Sequence, residues 1–262
     1  MSLVPPDYGS SSDEEPRYTG ETANHLAGAG TGHSRNVTFL KSTGTSVEQQ
    51  PVQVILHELL DPDYGSYLWP SALVLSAFVY WNAGRFFNKQ VLEVGCGTAL
   101  PGLLAAKLGA KRVVLSDLPD AEHLLKNAQH AVHANQVDDV CSVIGLKWGK
   151  FPPLSDPSYL FDFILGADVF YEPRDFDDLI ASVAYILSQS RPSAKFITAY
   201  QERSSRRTVQ PLLEKWNLRC RIVDKRRFGG WGEAWRVDGK EQVPREIGSV
   251  ALLIIERAAG CI

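Results

Sequence analysis

The stretch that decides the fold is Val91-Leu92-Glu93-Val94-Gly95-Cys96-Gly97-Thr98, a short apolar strand that runs into a Gly-x-Gly turn. A helix is expected about five residues after the turn, over Gly102–Leu108, with Gly109 closing it. A ligand lying across the carboxyl end of a parallel sheet needs close backbone approach, which glycine allows because it has no Cβ atom. The stretch therefore predicts a strand, a ligand-binding turn and a helix.

The residues around this turn favour S-adenosylmethionine over NAD as the ligand. A dinucleotide fingerprint has a third glycine three residues after the second, but Leu100 stands there and the next glycine is Gly102. Glu93 precedes the turn, where it offers nothing to a pyrophosphate but is compatible with a cofactor that has a sulfonium and an amino group. A glycine turn without any ligand is the alternative.

A second candidate ligand-binding residue, Asp117, follows the next predicted strand, Arg112–Ser116. It lies 20 residues beyond Gly97, and an acid there can hydrogen-bond both ribose hydroxyls of an adenosine. The alternative is a helix N-cap, because Leu118-Pro119-Asp120 can equally open the next helix. The order of strand, Gly-x-Gly, strand and acid favours an adenosine-containing cofactor.

Strands and helices alternate along most of the chain, which predicts a parallel sheet built from βαβ units. The other expected helices are Ser71–Tyr80, Ala121–Asn135, Asp175–Leu187 and Thr208–Trp216, and the other strands are Val140–Leu146, Phe161–Gly166, Lys195–Tyr200, Arg219–Asp224 and Val250–Glu256. The last two strands have no helix between them, so they should pair as an antiparallel hairpin. The intervening stretch, Lys225–Ser249, is expected to be a long loop.

The amino-terminal part of the chain differs in composition from the rest. Residues 1–35 are rich in Gly, Ser, Pro and acids and poor in aliphatic side chains, so we expect a disordered tail. The folded domain is expected to span residues 36–262. It begins with two β-type runs, Asn36–Lys41 and Val52–Leu60, which predict a small β-hairpin ahead of the main sheet.

The overall composition argues against several classes of protein. The 262 residues carry a net charge of -3, so no basic field indicates nucleic acid or an anionic membrane, and the basic segment Arg203–Arg227 is interpreted as a solvated surface. The apolar stretch Tyr67–Trp81 is too short to span a bilayer comfortably. The four cysteines are scattered, and His130 and His133 lack a further ligand, so neither disulfides nor a metal site are predicted. We expect a cytoplasmic or nuclear protein.

Taken together, these motifs resemble the seven-strand protein methyltransferases of lysine methyltransferase family 16. The resemblance runs from about Val52 to Glu256. It rests on four segments: Tyr67-Leu68-Trp69-Pro70-Ser71-Ala72, Glu93–Gly97 with Leu100–Gly102, Leu146-Lys147-Trp148-Gly149, and Leu165–Tyr171. The last of these is similar to the family's acid-x-x-Tyr motif and is the most specific.

The resemblance implies a fold, a cofactor and an acceptor. The fold is that of a class I methyltransferase: an α/β, Rossmann-like seven-stranded sheet with helices on both faces. The cofactor is S-adenosylmethionine, which yields S-adenosylhomocysteine, and the acceptor is a protein, with histone and chaperone-type proteins as candidates. The expected cofactor contacts are Trp69, Glu93, Gly95, Cys96, Gly97, Asp117, Trp148 and Ala167. Trp148 would lie against the adenine, since a base stacks on an aromatic ring.

Two residues after the fourth strand of the predicted sheet, Asp168 and Tyr171, are the candidates for the transfer step. The Asp168 carboxylate could orient an acceptor nitrogen, and Tyr171 could offer its ring face to a cation. Capping of the next helix, near Glu172 and Pro173, is the alternative role for Asp168. Lysine-modifying members of the family often have Asp after the first tryptophan, where this chain has Pro70, so lysine and arginine both stay open as acceptors.

Four acids, Glu172, Asp175, Asp177 and Asp178, add negative charge beside these residues. They could attract a basic peptide such as a histone tail, although acids at the positive end of a helix are also stabilising by themselves. Two other classes of function are carried as alternatives. One is a small-molecule or nucleic-acid methyltransferase, and the other is a cofactor-binding adaptor without catalysis.

Overall fold

The structure of the protein is a computed structural model. It describes residues 32–40, 50–59, 65–151, 160–201, 208–224, 234–241 and 244–258. Residues 1–31 of the predicted tail lie outside the described residues, as do Trp231, Cys261 and residues 203–207 and 225–227 of the basic segment.

Within the described residues the chain forms ten strands and six α-helices. The strands are β1 (His33–Phe39), β2 (Val52–Glu58), β3 (Gln90–Val94), β4 (Arg112–Asp117), β5 (Cys141–Gly145), β6 (Phe163–Ala167), β7 (Lys195–Gln201), β8 (Leu218–Ile222), β9 (Trp235–Val237) and β10 (Val250–Arg257). The helices are α1 (Pro70–Trp81), α2 (Ala83–Phe86), α3 (Leu100–Lys107), α4 (Glu122–Ala134), α5 (Phe176–Gln189) and α6 (Gln210–Lys215).

Seven of these strands form the central sheet, in the order β5-β4-β3-β6-β7-β10-β8. β10 pairs antiparallel with β7 and with β8, while the other neighbours pair in parallel. The predicted α/β fold with a terminal antiparallel hairpin is therefore confirmed. The chain leaves β3 in one direction towards β4 and β5 and later returns on the other side at β6, which creates the crevice where open α/β sheets bind ligands.

Helices cover both faces of the central sheet and divide the core into two layers. Side chains of α1, α3 and α4 pack with Val91 and Leu165 on one face. Side chains of α5 and α6 pack with Leu92 and Ile164 on the other. The central strands β3, β4 and β6 are buried on both faces and are therefore apolar almost throughout, as expected for a covered parallel sheet.

The predicted β-hairpin is confirmed, and it extends further than the sequence indicated. β1 and β2 pair antiparallel from His33 opposite Glu58 to Phe39 opposite Val52. Because β1 starts at His33, residues 33–35 belong to this sheet, and their assignment to the tail was wrong. The pattern missed them because their side chains are largely exposed, which leaves no alternation to detect.

A third strand, β9, completes the small sheet and corrects the prediction of one long loop over Lys225–Ser249. β9 pairs antiparallel with β1, with Val37 opposite Val237 and Phe39 opposite Trp235. Residues 245–249 add a short 3-10 helix. Three residues are too few for a periodicity signal, and their partner strand lies about 200 positions earlier, so pairing and burial rather than local pattern define this strand.

Local geometry also moves the start of α3. The helix begins at Leu100 rather than at the expected Gly102, directly after Ala99, which has a left-handed φ of 60°. Pro101 lies in the first turn, where its missing N–H costs nothing. The turn between strand and helix is therefore shorter than predicted.

In the described part of the chain, no helix has the length and apolar character needed to cross a membrane. The same residues contain no group of three His, Cys, Asp or Glu side chains placed to hold a metal ion. The three described cysteines, Cys96, Cys141 and Cys220, are free thiols.

The buried position of Trp235 generates a test of the small sheet. Trp235 is fully buried, so Trp235→Ala should lower the free energy of unfolding by roughly 3–5 kcal/mol, measured by urea denaturation. Ile222→Ala, at a side chain 76% exposed, should change it by less than about 0.5 kcal/mol. Equal, small losses for both variants would mean that β9 does not pack in the core.

Candidate active site

A cavity of about 750 Å3 opens at the carboxyl ends of β5, β4, β3 and β6. Nine of the ten residues predicted to form the site line it: Trp69, Gly95, Cys96, Gly97, Asp117, Trp148, Ala167, Asp168 and Tyr171. Parallel strands end at the same edge of a sheet, which brings together segments that are far apart in sequence. Glu93 is the predicted residue that does not line the cavity.

The Gly-x-Gly turn lies at the floor of the crevice, with both glycines in the left-handed region at φ +59° for Gly95 and +49° for Gly97. A Cβ atom at Gly97 would lie 2.5 Å from the Gly65 carbonyl oxygen. One at Gly95 would lie 3.1 Å from the Val169 side chain and 3.2 Å from the Trp148 ring. Both positions therefore require glycine for their conformation and for their packing.

Asp117 locks this turn to the end of β4. Its Oδ2 accepts a hydrogen bond from the Gly97 N–H at 2.8 Å, and its Oδ1 accepts one from the Leu118 N–H at 2.8 Å. Burial raises the pKa of Asp117, while these two donors oppose that rise. Asp117 is not the N-cap of α4, which begins at Glu122 after Ala121, and it lines the cavity.

Cys96, between the two glycines, is a buried structural thiol. Its N–H donates a hydrogen bond to the Ser116 carbonyl oxygen at 2.9 Å, which ties the turn to β4 a second time. Burial and the nearby carboxylates of Asp117 and Glu93 raise the pKa of the Cys96 thiol well above its usual value. The thiol is therefore protonated and unreactive at neutral pH.

Glu93 points away from the cavity, which corrects the prediction of a direct cofactor contact. Its side chain is fully buried, and its Oε2 accepts a hydrogen bond from the Gly102 N–H at 2.7 Å. Its Oε1 is buried without a hydrogen-bond partner, and burial raises the pKa of Glu93 to about 8. Alternation along β3 turns this side chain towards α3, so it fixes the start of that helix behind the glycine turn.

Two tryptophans contribute aromatic surface to the cavity wall. Trp148 packs against Gly95, and the next residue, Gly149, donates its N–H to Ser182 Oγ at 2.9 Å, which anchors the segment to α5. Trp69 lies directly before α1 and makes an edge-on contact with Tyr67, with ring centroids 5.1 Å apart. An aromatic wall of this kind suits the flat faces of an adenine ring.

Asp168 is held rigidly beside the end of β6. It has a left-handed φ of 57°, its N–H donates to the Ala199 carbonyl oxygen at 2.7 Å, and its Oδ1 accepts from the Gln201 N–H at 3.3 Å. The 3-10 helix that follows has Glu172 as its N-cap, so capping does not account for Asp168. A non-glycine residue in this conformation stores strain, which is typical of functional sites.

Tyr171 stands at the mouth of the cavity with 56% of its surface exposed. Partial burial and the negative charges of Asp175, Asp117 and Glu172 raise the pKa of its phenol, which is therefore protonated at neutral pH. The ring can be reached from solvent and from the cavity.

Several lining residues were not predicted as site residues: Tyr67, Leu118, His123, Lys147, Asp175 and Asp178. Tyr67, Leu118 and Lys147 are adjacent to, or one residue away from, predicted positions, and that adjacency is the signal that could have found them. His123, Asp175 and Asp178 lie at the starts of helices. The first residues of these helices are at the same edge of the sheet as the carboxyl ends of the strands. The sequence had placed Asp175 and Asp178 near Asp168 and Tyr171 as acids, whereas only the three-dimensional arrangement brings His123 to the cavity.

Comparison with known proteins now identifies the family. A family model described as lysine methyltransferase matches residues 48–211. The chain belongs to this family. It is 38% identical over 219 residues to the histone-arginine methyltransferase METTL23 of Xenopus laevis, covering 84% of this chain and 91% of the relative. It is 35% identical over 137 residues to the protein-lysine methyltransferase METTL21E of Mus musculus, covering 48% of this chain and 53% of the relative.

A solved structure supports the fold independently of close sequence similarity. A SAM dependent methyltransferase from Aquifex aeolicus superimposes with a TM-score of 0.51 at 19% identity, covering 75% of this chain and 97% of that one. The protein is therefore a class I methyltransferase that acts on a protein acceptor. Its cofactor is S-adenosylmethionine, as predicted.

The residues of the cavity fit this cofactor. The backbone of Gly95 and Gly97 is partly exposed and lines the cavity, and Asp117 presents a carboxylate at the end of β4, where a ribose can be bound. Trp148 and Trp69 supply aromatic surface on the same walls.

The burial of Glu93 generates a pH prediction. The native state holds a proton on Glu93 up to pH about 8, whereas the unfolded chain loses it near the ordinary glutamate pKa of 4.5. The favourable contribution of neutral Glu93 is thus complete below pH 4.5, and unfolding free energy should fall as pH rises from 4.5 to about 8. Glu93→Gln should flatten this slope in urea titrations at several pH values.

The control for this experiment is Glu256→Gln, because ion pairs with Lys195 and Arg219 lower the pKa of Glu256. The stabilisation from ionised Glu256 is lost only at acidic pH. The control should therefore show the same fall in unfolding free energy between pH 5 and 8 as the wild type. An unchanged slope in Glu93→Gln would contradict a neutral, buried Glu93.

Proposed function

We propose that the enzyme methylates arginine side chains of a basic protein, with histones as the first substrate to test. The observation that carries the proposal is a carboxylate, Asp168, that is 7% exposed and lines the same cavity as the cofactor-binding turn. The names of the METTL23 relatives favour arginine. Pro70, in place of the Asp found in many lysine-modifying members, points in the same direction.

The chemistry of arginine explains why a carboxylate is needed. A guanidinium holds its proton with a pKa above about 12, so its nitrogen must be oriented and must lose a proton during transfer. When bound, S-adenosylmethionine would supply an electrophilic methyl group, with S-adenosylhomocysteine as the leaving group. Asp168 would hold the acceptor nitrogen in line while the new carbon–nitrogen bond forms, then take its proton and pass it to water.

Charge at the mouth of the cavity supports a basic protein as acceptor. Asp175 and Asp178 line the cavity together with Asp168, and Glu172 lies in sequence between Asp168 and Asp175. Clustered carboxylates attract a cationic segment and repel a nucleic-acid backbone. The exposed ring of Tyr171 adds a surface on which a guanidinium can stack.

A lysine acceptor is the second candidate, because the family model is described as lysine methyltransferase. A chaperone-type protein is the corresponding alternative to a histone. Mass spectrometric assignment of the methyl group in labelled cell extract and in purified core histones separates these acceptors. The expected location is the cytoplasm, the nucleus or both; a histone acceptor would favour the nucleus, and imaging of the tagged full chain tests this.

The role of Asp168 gives the decisive variant. Asp168→Ala should lower methyl transfer to core histones by at least about 100-fold, because positioning and proton removal are both lost, while calorimetry should show cofactor binding retained. Asp177→Ala is the matched control, since that acid pairs with Lys215 and Trp216 and does not line the cavity. Transfer undiminished by Asp168→Ala would show that Asp168 has no part in the reaction.

A further inference from the structure

A chain of charged side chains connects the small sheet to the wall of the cofactor cavity. Glu58, the last residue of β2, accepts hydrogen bonds from the Leu68 N–H through Oε1 at 2.8 Å and from Arg35 Nε through Oε2 at 2.7 Å. Arg35 Nη1 donates to Asp238 Oδ2 at 2.9 Å, and Asp238 Oδ1 accepts from the Asn36 N–H at 2.9 Å. Three distant parts of the sequence are thereby joined.

The inner end of this chain is the wall segment, residues 65–69. Tyr67 and Trp69 line the cavity on either side of Leu68, which is itself buried. Gly65 lies so close to the glycine turn that a Cβ atom on Gly97 would be 2.5 Å from its carbonyl oxygen. A displacement of the wall segment would therefore move the Tyr67 and Trp69 side chains in the cavity and also disturb the packing of the glycine turn.

Hydrogen bonds hold both halves of the wall segment, and Asn127 Nδ2 also donates to Ser66 Oγ at 3.4 Å. The first half is held by the Leu59 N–H, which donates to the Ser66 carbonyl oxygen at 3.3 Å. The second half is held at the Leu68 N–H by the charged carboxylate of Glu58 at the shorter distance of 2.8 Å. A charge-assisted hydrogen bond is roughly twice as strong as a neutral one, so Glu58 is the stronger constraint.

We infer that Glu58 is a positioning residue of the cofactor site, which holds Trp69 and Tyr67 in place through the Leu68 backbone and is itself oriented by Arg35 and Asp238. Glu58 does not line the cavity, so it acts on cofactor affinity through the wall segment. Its side chain is 14% exposed, against 39% for Asp238, so solvent screens the outer ion pair more than the inner one. A substitution should therefore reduce cofactor affinity most at Glu58 and least at Asp238.

Calorimetric titration of the full chain with S-adenosylmethionine tests this order. Glu58→Ala removes both hydrogen bonds and should weaken binding roughly tenfold. Glu58→Gln keeps an acceptor for Leu68 but loses the ion pair with Arg35, and it should weaken binding about threefold. Asp238→Asn loses only the outer pair, should cost about twofold, and keeps the proposal testable if Glu58→Ala fails to fold.

A matched control separates positioning from stability. Glu256, on β10, likewise accepts two contacts, from Lys195 and Arg219, and it does not line the cavity. Glu256→Gln should lower the thermal unfolding midpoint while leaving cofactor affinity unchanged. A purely structural role for Glu58 would give the same result in Glu58→Gln and would overturn the inference.

A double-mutant cycle with Trp69→Ala gives a second readout. If Glu58 acts through the wall segment, its removal should cost little further affinity once the Trp69 ring is absent, so the two effects should be non-additive. Additive losses would contradict the inference. Both experiments measure cofactor binding alone, so their outcome does not depend on whether arginine is the acceptor.

Discussion

The hydrogen bond from the Gly97 N–H to the Asp117 carboxylate is the interaction on which the rest of the site depends. It joins the turn after β3 to the end of β4, and the turn can form only because Gly95 and Gly97 adopt left-handed φ values. Behind the turn, buried Glu93 fixes the start of α3, and in front of it the wall segment packs against Gly97. Each neighbouring element is therefore positioned relative to one pair of glycines.

The sequence predicted those features that have a local pattern. The alternation of strands and helices, the glycine turn with Asp117, and the hairpin of β1 and β2 all follow from residue periodicity and from the special conformations of glycine. Short or distant contacts left no such trace. β9 has three residues, and its pairing with β1 and its link through Arg35 appear only in the folded chain.

Glu93 shows why a residue type alone did not define a contact. An acid two residues before a glycine turn suggests a charged ligand-facing group, but β3 alternates its side chains, and this one turns into the core. Asp168, by contrast, follows the end of β6 in a strained turn and lines the cavity with Asp175 and Asp178. Glu93 lies within its strand and is buried, whereas Asp168 follows the end of its strand and is the acid that we propose for the transfer step.

The most direct test of this account is calorimetric titration of the wild-type protein and of Asp117→Ala with S-adenosylmethionine and with NAD. The account predicts that the wild type binds S-adenosylmethionine and not NAD. It also predicts that Asp117→Ala loses this binding, because the glycine turn is no longer locked and the expected ribose contact cannot form. Equal binding of S-adenosylmethionine by both proteins would contradict the site described above.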